Sequence, residues 1–594
     1  MNNSIRLFRP AVLVALGAAA LTGLIGIISL FLIQPPTIAM LLHGRVSLAS
    51  GLVFHEILLE LAGERCTPLG WPVVCRLDWI AGIAKQLLAS PIAAPRLASI
   101  GAAMAAASLV GFFSTYGDTP PTENLTVVQG RSVETGAYAA RALRNAIRRL
   151  GKPTRDGLWL LPGVQLNAAS LARNILLVGS QGSGKTGLLR AYVDQLLSAP
   201  RGRQFIFDAK GDMTAGLPAD RFIFVAPHDA RSWALDIGRE ITNPLIAREF
   251  AAKCVPISKQ DPMWAQATRA VLTDIAMALR QRCCDQWNWG DLTSAALSST
   301  AEIREMLLQA GARSVALLNF GQDPEENRTV MSVMITLWVT VLTTIEPLAQ
   351  VWSQVLPSRR FTVHDWIKRH SRLPRTLLFQ KSGDYPELSG LVGSFLAERV
   401  AAAALAPDRR RPNTERLTLV LDEFPEAAID RLPRLLALGR ELRVTIIATV
   451  QDLGQVSILF GKEQGSVVEA RFGIRIVLRL EPGETIKRIC DVWIGTRRIK
   501  RRRDATAEEL ARGFTKPKET VWEPAISPDF LTDQLGVFET PKGKTIRLLV
   551  AGFPVLAIVD VPLTAWPDRR AAHVPARWIQ SDGQDGWSAG ATAP

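Results

Sequence analysis

Residues 179–186 read Gly-Ser-Gln-Gly-Ser-Gly-Lys-Thr and fill every fixed position of G-x-x-x-x-G-K-[ST]. This octapeptide constrains the fold. It works only as a tight turn between a strand and a helix N-terminus, where backbone N–H groups wrap an anion. Its flanks agree. Residues 174–178 are a short apolar run of strand type, and Leu188, Leu189, Tyr192, Val193, Leu196 and Leu197 recur at helical spacing. The whole turn (Gly179, Ser180, Gln181, Gly182, Ser183, Gly184, Lys185 and Thr186) therefore reads as a cradle for ATP. Lys185 would lie on the β- and γ-phosphates and the Thr186 hydroxyl on Mg²⁺.

A triphosphate cradle needs acids facing it. Leu417–Leu421 is an apolar run of strand type that ends in Asp422 and Glu423. Asp422 suits a Mg²⁺ ligand acting with Thr186, and Glu423 suits the general base that polarises the attacking water. The next such run, Val444–Val450, leads into Gln451, an amide placed to orient that water. Arg440 lies just before this run and is a candidate arginine finger for a neighbouring subunit's nucleotide. Together these residues describe a phosphate-loop ATPase.

The segments between them alternate strand and helix patterns, which argues for a parallel α/β sheet. Residues 157–245 form the first part of a nucleotide-binding domain. Over 246–345 strand signals fade and long helical patterns take over, so an all-helical insertion is expected there. The sheet resumes over 346–570, and residues 571–594 read as a disordered tail. Residues 117–156 are a linker leading into an Arg-rich amphipathic helix at 136–150.

Residues 11–33 carry no charge and exceed the roughly 20 residues that cross a bilayer. Residues 97–113 are a second, shorter uncharged stretch whose other reading is a buried Ala-rich helix. Arginines at 6 and 9 precede the first, and Arg131, Arg141, Arg144, Arg148 and Arg149 follow the second, so both flanks are expected on the cytoplasmic side. Residues 1–116 then form a two-span membrane region, with an outer loop at 34–96 and the bulk of the chain cytoplasmic. Cys66 and Cys75 fall in that loop, where a disulfide and two free thiols are both possible.

The formal net charge of +14 suits an anionic partner, nucleic acid or an acidic membrane face. Arg-Arg-Ile-Lys-Arg-Arg-Arg at 497–503 concentrates it. This block can neutralise phosphates, and equally can be a solvated loop or a membrane-facing patch. No aromatic residue interleaves it, so base stacking is not expected there.

The order of these segments resembles the type IV coupling proteins, the TraD/TraG/TrwB class of conjugative ATPases. The likeness rests on two N-terminal spans, then GSQGSGKT, FDAKGD, a helical insertion containing Asp261-Pro262-Met263-Trp264, LVLDEFPEAAIDRLPRLLALGREL and ATVQDLGQV. It implies a RecA-like, homo-hexameric motor at the bacterial inner membrane, spending ATP with Mg²⁺ to deliver single-stranded DNA and its bound relaxase into a type IV secretion channel. By the same likeness Lys185 and Thr186 bind nucleotide, Asp422 and Glu423 are the paired acids, Gln451 the sensor and Arg440 the finger. The family's Asp-Pro-Lys-Gly-Glu stands here as Asp208-Ala209-Lys210-Gly211-Asp212, with its charges kept. Two other readings fit the sequence: a nucleotide-dependent receptor for protein cargo, and a double-stranded DNA translocase.

Overall fold

The computed structural model describes residues 101–108, 126–154, 157–198, 202–218, 222–257, 262–319, 324–368, 371–411, 414–502, 508, 518–541, 543–563, 566–576 and 579. The first expected span, the whole outer loop with Cys66 and Cys75, and the expected tail beyond 579 lie outside them. The start of the expected tail, at 571–576, is not disordered: Val574 accepts the Ala230 N–H and donates its own to Asp229, both at 2.9 Å, and Ala576 is buried. Of the second span only 101–108 is described, and it is helical. It belongs to a unit Met1–Glu123, separate from the unit Asn124–Pro594 described below.

Seven parallel strands form the heart of that second unit. From the edge inwards they run Phe222–Val225, Thr376–Gln380, Arg203–Asp208, Leu417–Leu421, Val444–Val450, Ile175–Val178 and Ile474–Val477. Gly543–Ala551 then adds antiparallel, followed by Val555–Pro562 and Ser132–Thr135. The parallel strands are buried along their length, as their unbroken Ile, Leu, Val and Phe runs require of a sheet covered on both faces. Alternation divides each strand between two cores. Ile175 and Leu177 face a core that includes Leu188, Leu189 and Val193 of the helix Lys185–Ser198. Ala139, Leu143 and Ile147 of Gly136–Leu150, spaced four apart, join the same core. Leu176 and Val178 face the other core, which continues into the helical insertion. Each such side chain contributes about 1.5–3 kcal/mol on burial.

The insertion is bracketed by two short strands, Ala234–Leu235 and Arg360–Phe361, which pair in parallel. Its helices begin where the sequence supplies caps. Asn243 accepts from Leu245 and Ile246 with Pro244 next in line, and Asn288 with Asp291 and Ser299 with Glu302 form capping boxes. Phe250, Trp289, Trp352 and Phe395 stack edge to face with centroids 5.3–5.8 Å apart. Among the described residues one helix, Asn327–Trp352, is long and apolar enough to cross a membrane. Its Val330, Val333, Met334 and Leu337 are buried in the core of the insertion.

The region expected to be linker contains two strands, Thr126–Gln129 and Ser132–Thr135. The basic block is a strand as well. Thr496–Arg502 pairs antiparallel with Thr126–Gln129 on one side and Lys518–Pro524 on the other. The block itself holds no aromatic residue, but the pairing places Trp522 directly opposite Arg498. Partners so far apart in sequence leave no local signal.

Candidate nucleotide site

The phosphate loop leaves the sheet at the carboxyl end of Ile175–Val178 and enters the helix Lys185–Ser198. Gly182 and Gly184 take φ of 71° and 100°, which side-chain-bearing residues rarely adopt. A Cβ on Gly184 would also come within 2.9 Å of Ile546 Cδ1. Neighbouring strands hold the loop in place. Gly179 N–H donates to the Val450 carbonyl at 3.3 Å, and Ser180 N–H to the Arg479 carbonyl at 2.8 Å. Ser183 Oγ donates to the Ser180 carbonyl at 2.7 Å. Gln181 is exposed, Thr186 is half-buried in the first helical turn, and Lys185 is buried. The Lys185 ammonium donates to the Gly179 and Ser180 carbonyls. Burial pulls its pKa down to about 8, with Glu423 and Asp422 opposing the fall and Lys210 adding to it.

Val444–Val450 lies between the phosphate-loop strand and the acidic strand, and it brings the acids into register with the loop. Thr449 is the link. Its Oγ1 donates to Asp422 Oδ1 at 2.9 Å and accepts the Glu423 N–H at 2.8 Å. The Gln451 N–H in turn donates to Glu423 Oε1 at 3.1 Å. Asp422 and Glu423 are 1% and 4% exposed, and burial raises both their pKa values. Asp422 Oδ2 and Glu423 Oε2 are buried without a hydrogen-bond partner. Two orphaned carboxylate oxygens beside a phosphate loop suit a divalent cation and a water. Glu423 takes φ 48°, strained for a non-glycine residue.

A third acid joins them. Asp208 ends the strand beside the acidic strand, and the Asp422 N–H donates to the neighbouring Phe207 carbonyl at 3.0 Å. The Asp208 carboxylate is fully buried and accepts the N–H groups of Gly211 and Met213 at 2.9 Å. Burial pushes its pKa up to about 7, and Asp422 and Asp212 push the same way.

The structure thus brings together the loop, Asp422, Glu423 and Gln451. It does not bring Arg440 to them. Arg440 is exposed just before the amino end of Val444–Val450, at the far end of the sheet from its own phosphate loop. There it borders a cavity of about 1170 Å³ that Arg375, Arg416 and Arg443 also line. Sequence reasoning missed Thr449 as the bridge between the acids. Its signal was a hydroxyl in an otherwise apolar strand, two positions before the expected sensor. It also missed Arg479, which is exposed at the rim. A methyl group built on Gly182 would lie 3.8 Å from the Arg479 guanidinium.

The model of the type IV secretion-system coupling protein DNA-binding domain matches residues 159–558, more than half of the chain. The chain belongs to the type IV secretion-system coupling protein family. No curated protein matches it by sequence. Among solved structures, the unbound monoclinic form of the bacterial conjugative coupling protein TrwBdeltaN70 has a TM-score of 0.59 at 20% identity. That match covers 77% of this chain and 98% of the other. Plasmid coupling protein TrwB in complex with ADP and Mg²⁺, and with the non-hydrolysable ATP analogue ADPNP, each give 0.58 at 19% identity, covering 77% and 99%. At these identities the likeness shows a shared mixed α/β fold.

In this coupling protein the nucleotide edge is tied to the insertion by a partly buried charge network. Arg431, shortly after the paired acids, bonds Glu398 and also Glu249 of an insertion helix. Arg399 reaches Glu240 at 2.7 Å and Glu249 at 3.5 Å. Removing one partner of such a network strands the other as an unpaired buried charge.

Proposed function

We propose that this coupling protein is a Mg²⁺-dependent ATPase with a RecA-like motor domain. It would act as a homo-hexamer at the bacterial inner membrane and move single-stranded DNA with its bound relaxase into a type IV secretion channel. One observation carries the ATPase reading. The Thr449 hydroxyl joins Asp422 and Glu423 at the carboxyl edge of the strand that also accepts the phosphate-loop N–H of Gly179. The two uncharged N-terminal stretches support the membrane location, and the net charge of +14 supports a polyanionic cargo.

In this reading the loop N–H groups and Lys185 bind the triphosphate. Thr186 and Asp422 would hold Mg²⁺, which supplies neutralising charge on the β- and γ-oxygens. Glu423 accepts a proton from the attacking water and Gln451 orients that water. The water oxygen bonds to the γ-phosphorus as the bond to the β–γ bridging oxygen breaks, giving ADP and phosphate. Arg440 would act on the nucleotide of the neighbouring subunit.

Lys185→Ala tests the proposal in the full chain. ATP turnover by the purified protein and DNA transfer in a mating assay should both disappear while membrane insertion persists. Normal turnover by the variant would refute the site.

A further inference from the structure

The small antiparallel sheet has two unlike faces. On one, Ile499 is 1% exposed, and Arg497 is half-buried and pairs with Glu523 at 2.8 Å. Glu519, Val521 and Glu523 alternate onto this same face and are all half-buried. On the other face Arg498, Lys500, Thr520 and Trp522 are all exposed, Trp522 by 55%. The register sets Arg498 opposite Trp522, Lys500 opposite Thr520 and Arg502 opposite Lys518. Facing pairs like these bring their Cβ atoms to about 5 Å. Both acids of Lys518–Pro524 thus fall on the inward face, and the outward face presents cations around one indole.

We propose that this outward face binds single-stranded nucleic acid, with backbone phosphates on Arg498 and Lys500 and a base stacked on Trp522. The inference rests on the DNA-transfer reading above and gives the DNA a site away from the nucleotide. An indole lying open on a sheet offers its π-face to an unpaired base, whereas duplex bases are already stacked on one another. Cations spaced two residues apart on a strand sit about 6–7 Å from each other, close to the phosphate spacing of an extended strand. A membrane surface fits less well. An anchor into acyl chains needs several neighbouring large apolar side chains, and here Trp522 has Thr520 and Pro524 along its own strand and Arg498 opposite.

The test uses the full chain in detergent and a labelled oligothymidylate followed by fluorescence anisotropy across a salt series. Trp522→Ala should weaken binding about tenfold, as loss of one stacked base does, and Trp522→Phe should restore most of it. Arg498→Glu with Lys500→Glu should flatten the plot of log affinity against log salt by about 0.7 per lost phosphate contact. Trp159→Ala, at an exposed tryptophan on a different sheet, should change nothing. All variants should keep ATP turnover without DNA, which shows that they fold. Wild-type affinity and salt slope in both the Trp522 and the Arg498/Lys500 variants would overturn the proposal and leave the DNA-transfer reading intact. Failure of the wild-type chain to bind the oligonucleotide would overturn that broader reading as well. Loss of co-purifying phosphatidylglycerol with unchanged oligonucleotide binding would make the face a membrane contact, and the proposal would fall.

Discussion

The two ends of the parallel sheet are chemical opposites. At the carboxyl ends Lys185, Asp208, Asp422 and Glu423 are all buried, held by loop carbonyls, loop N–H groups and Thr449. At the amino ends Arg375, Arg440 and Arg443 stand exposed around an open cleft. The seven residues of Val444–Val450 separate these ends by about 20 Å, so the arginines cannot serve their own chain's phosphate loop. One chain thus carries buried acids at one end and an exposed basic surface at the other. The contrast teaches that burial fixes the groups that must meet within a subunit, and under the proposed function the solvated arginines are the ones offered to a neighbour.

Arg440→Ala tests that contrast most severely. With a finger supplied in trans, turnover by the assembled protein should fall about 10³-fold while each subunit still binds nucleotide. Co-assembly with Lys185→Ala subunits should restore part of the activity, because each variant supplies what the other lacks. ATP turnover of the mixed and unmixed assemblies measures this. Absence of any restoration would break the assignment of the amino end to a neighbour.

Glu423→Gln comes next and probes the buried end. Loss of the base should lower turnover by about 10²–10⁴ while triphosphate binding persists, as a nucleotide-retention assay would show. Near-normal turnover would place the base on another residue.

How much of this was legible in the sequence follows from the distance over which each feature is built. The phosphate loop, with its strand and helix, is a local unit, and its positive-φ glycines are written into one octapeptide. The Asp422-Glu423 pair was legible because strand and acids are contiguous. Thr449 was not, since its role exists only once Val444–Val450 is inserted between the loop strand and the acidic strand. Arg440 was singled out from the sequence as a candidate finger, and its placement at the far end of the sheet came from the topology. The basic sheet was hidden most completely. Its outer strands begin at Thr126 and Lys518, far apart in the sequence, and Trp522 meets Arg498 only through antiparallel pairing. The brackets of the insertion, Ala234–Leu235 and Arg360–Phe361, are two residues each, too short to carry a period.

The smallest expected effect sharpens the electrostatic side of the contrast. Burial lowers the Lys185 pKa to about 8 from an ordinary 10.5, so in the free protein its charge is lost as pH rises through that value. Bound phosphates favour the ammonium and keep it protonated. Nucleotide binding therefore takes up a proton above pH 8, and affinity must fall as pH rises there. Between pH 7 and pH 9 a fluorescent ATP analogue should bind about tenfold more weakly. Lys185→Arg should flatten the profile, because a guanidinium stays charged throughout this range. A wild-type profile that is flat from pH 7 to pH 9 would mean that Lys185 is better solvated than its burial implies, and the carboxyl end of the sheet would be less unlike the amino end than the geometry makes it.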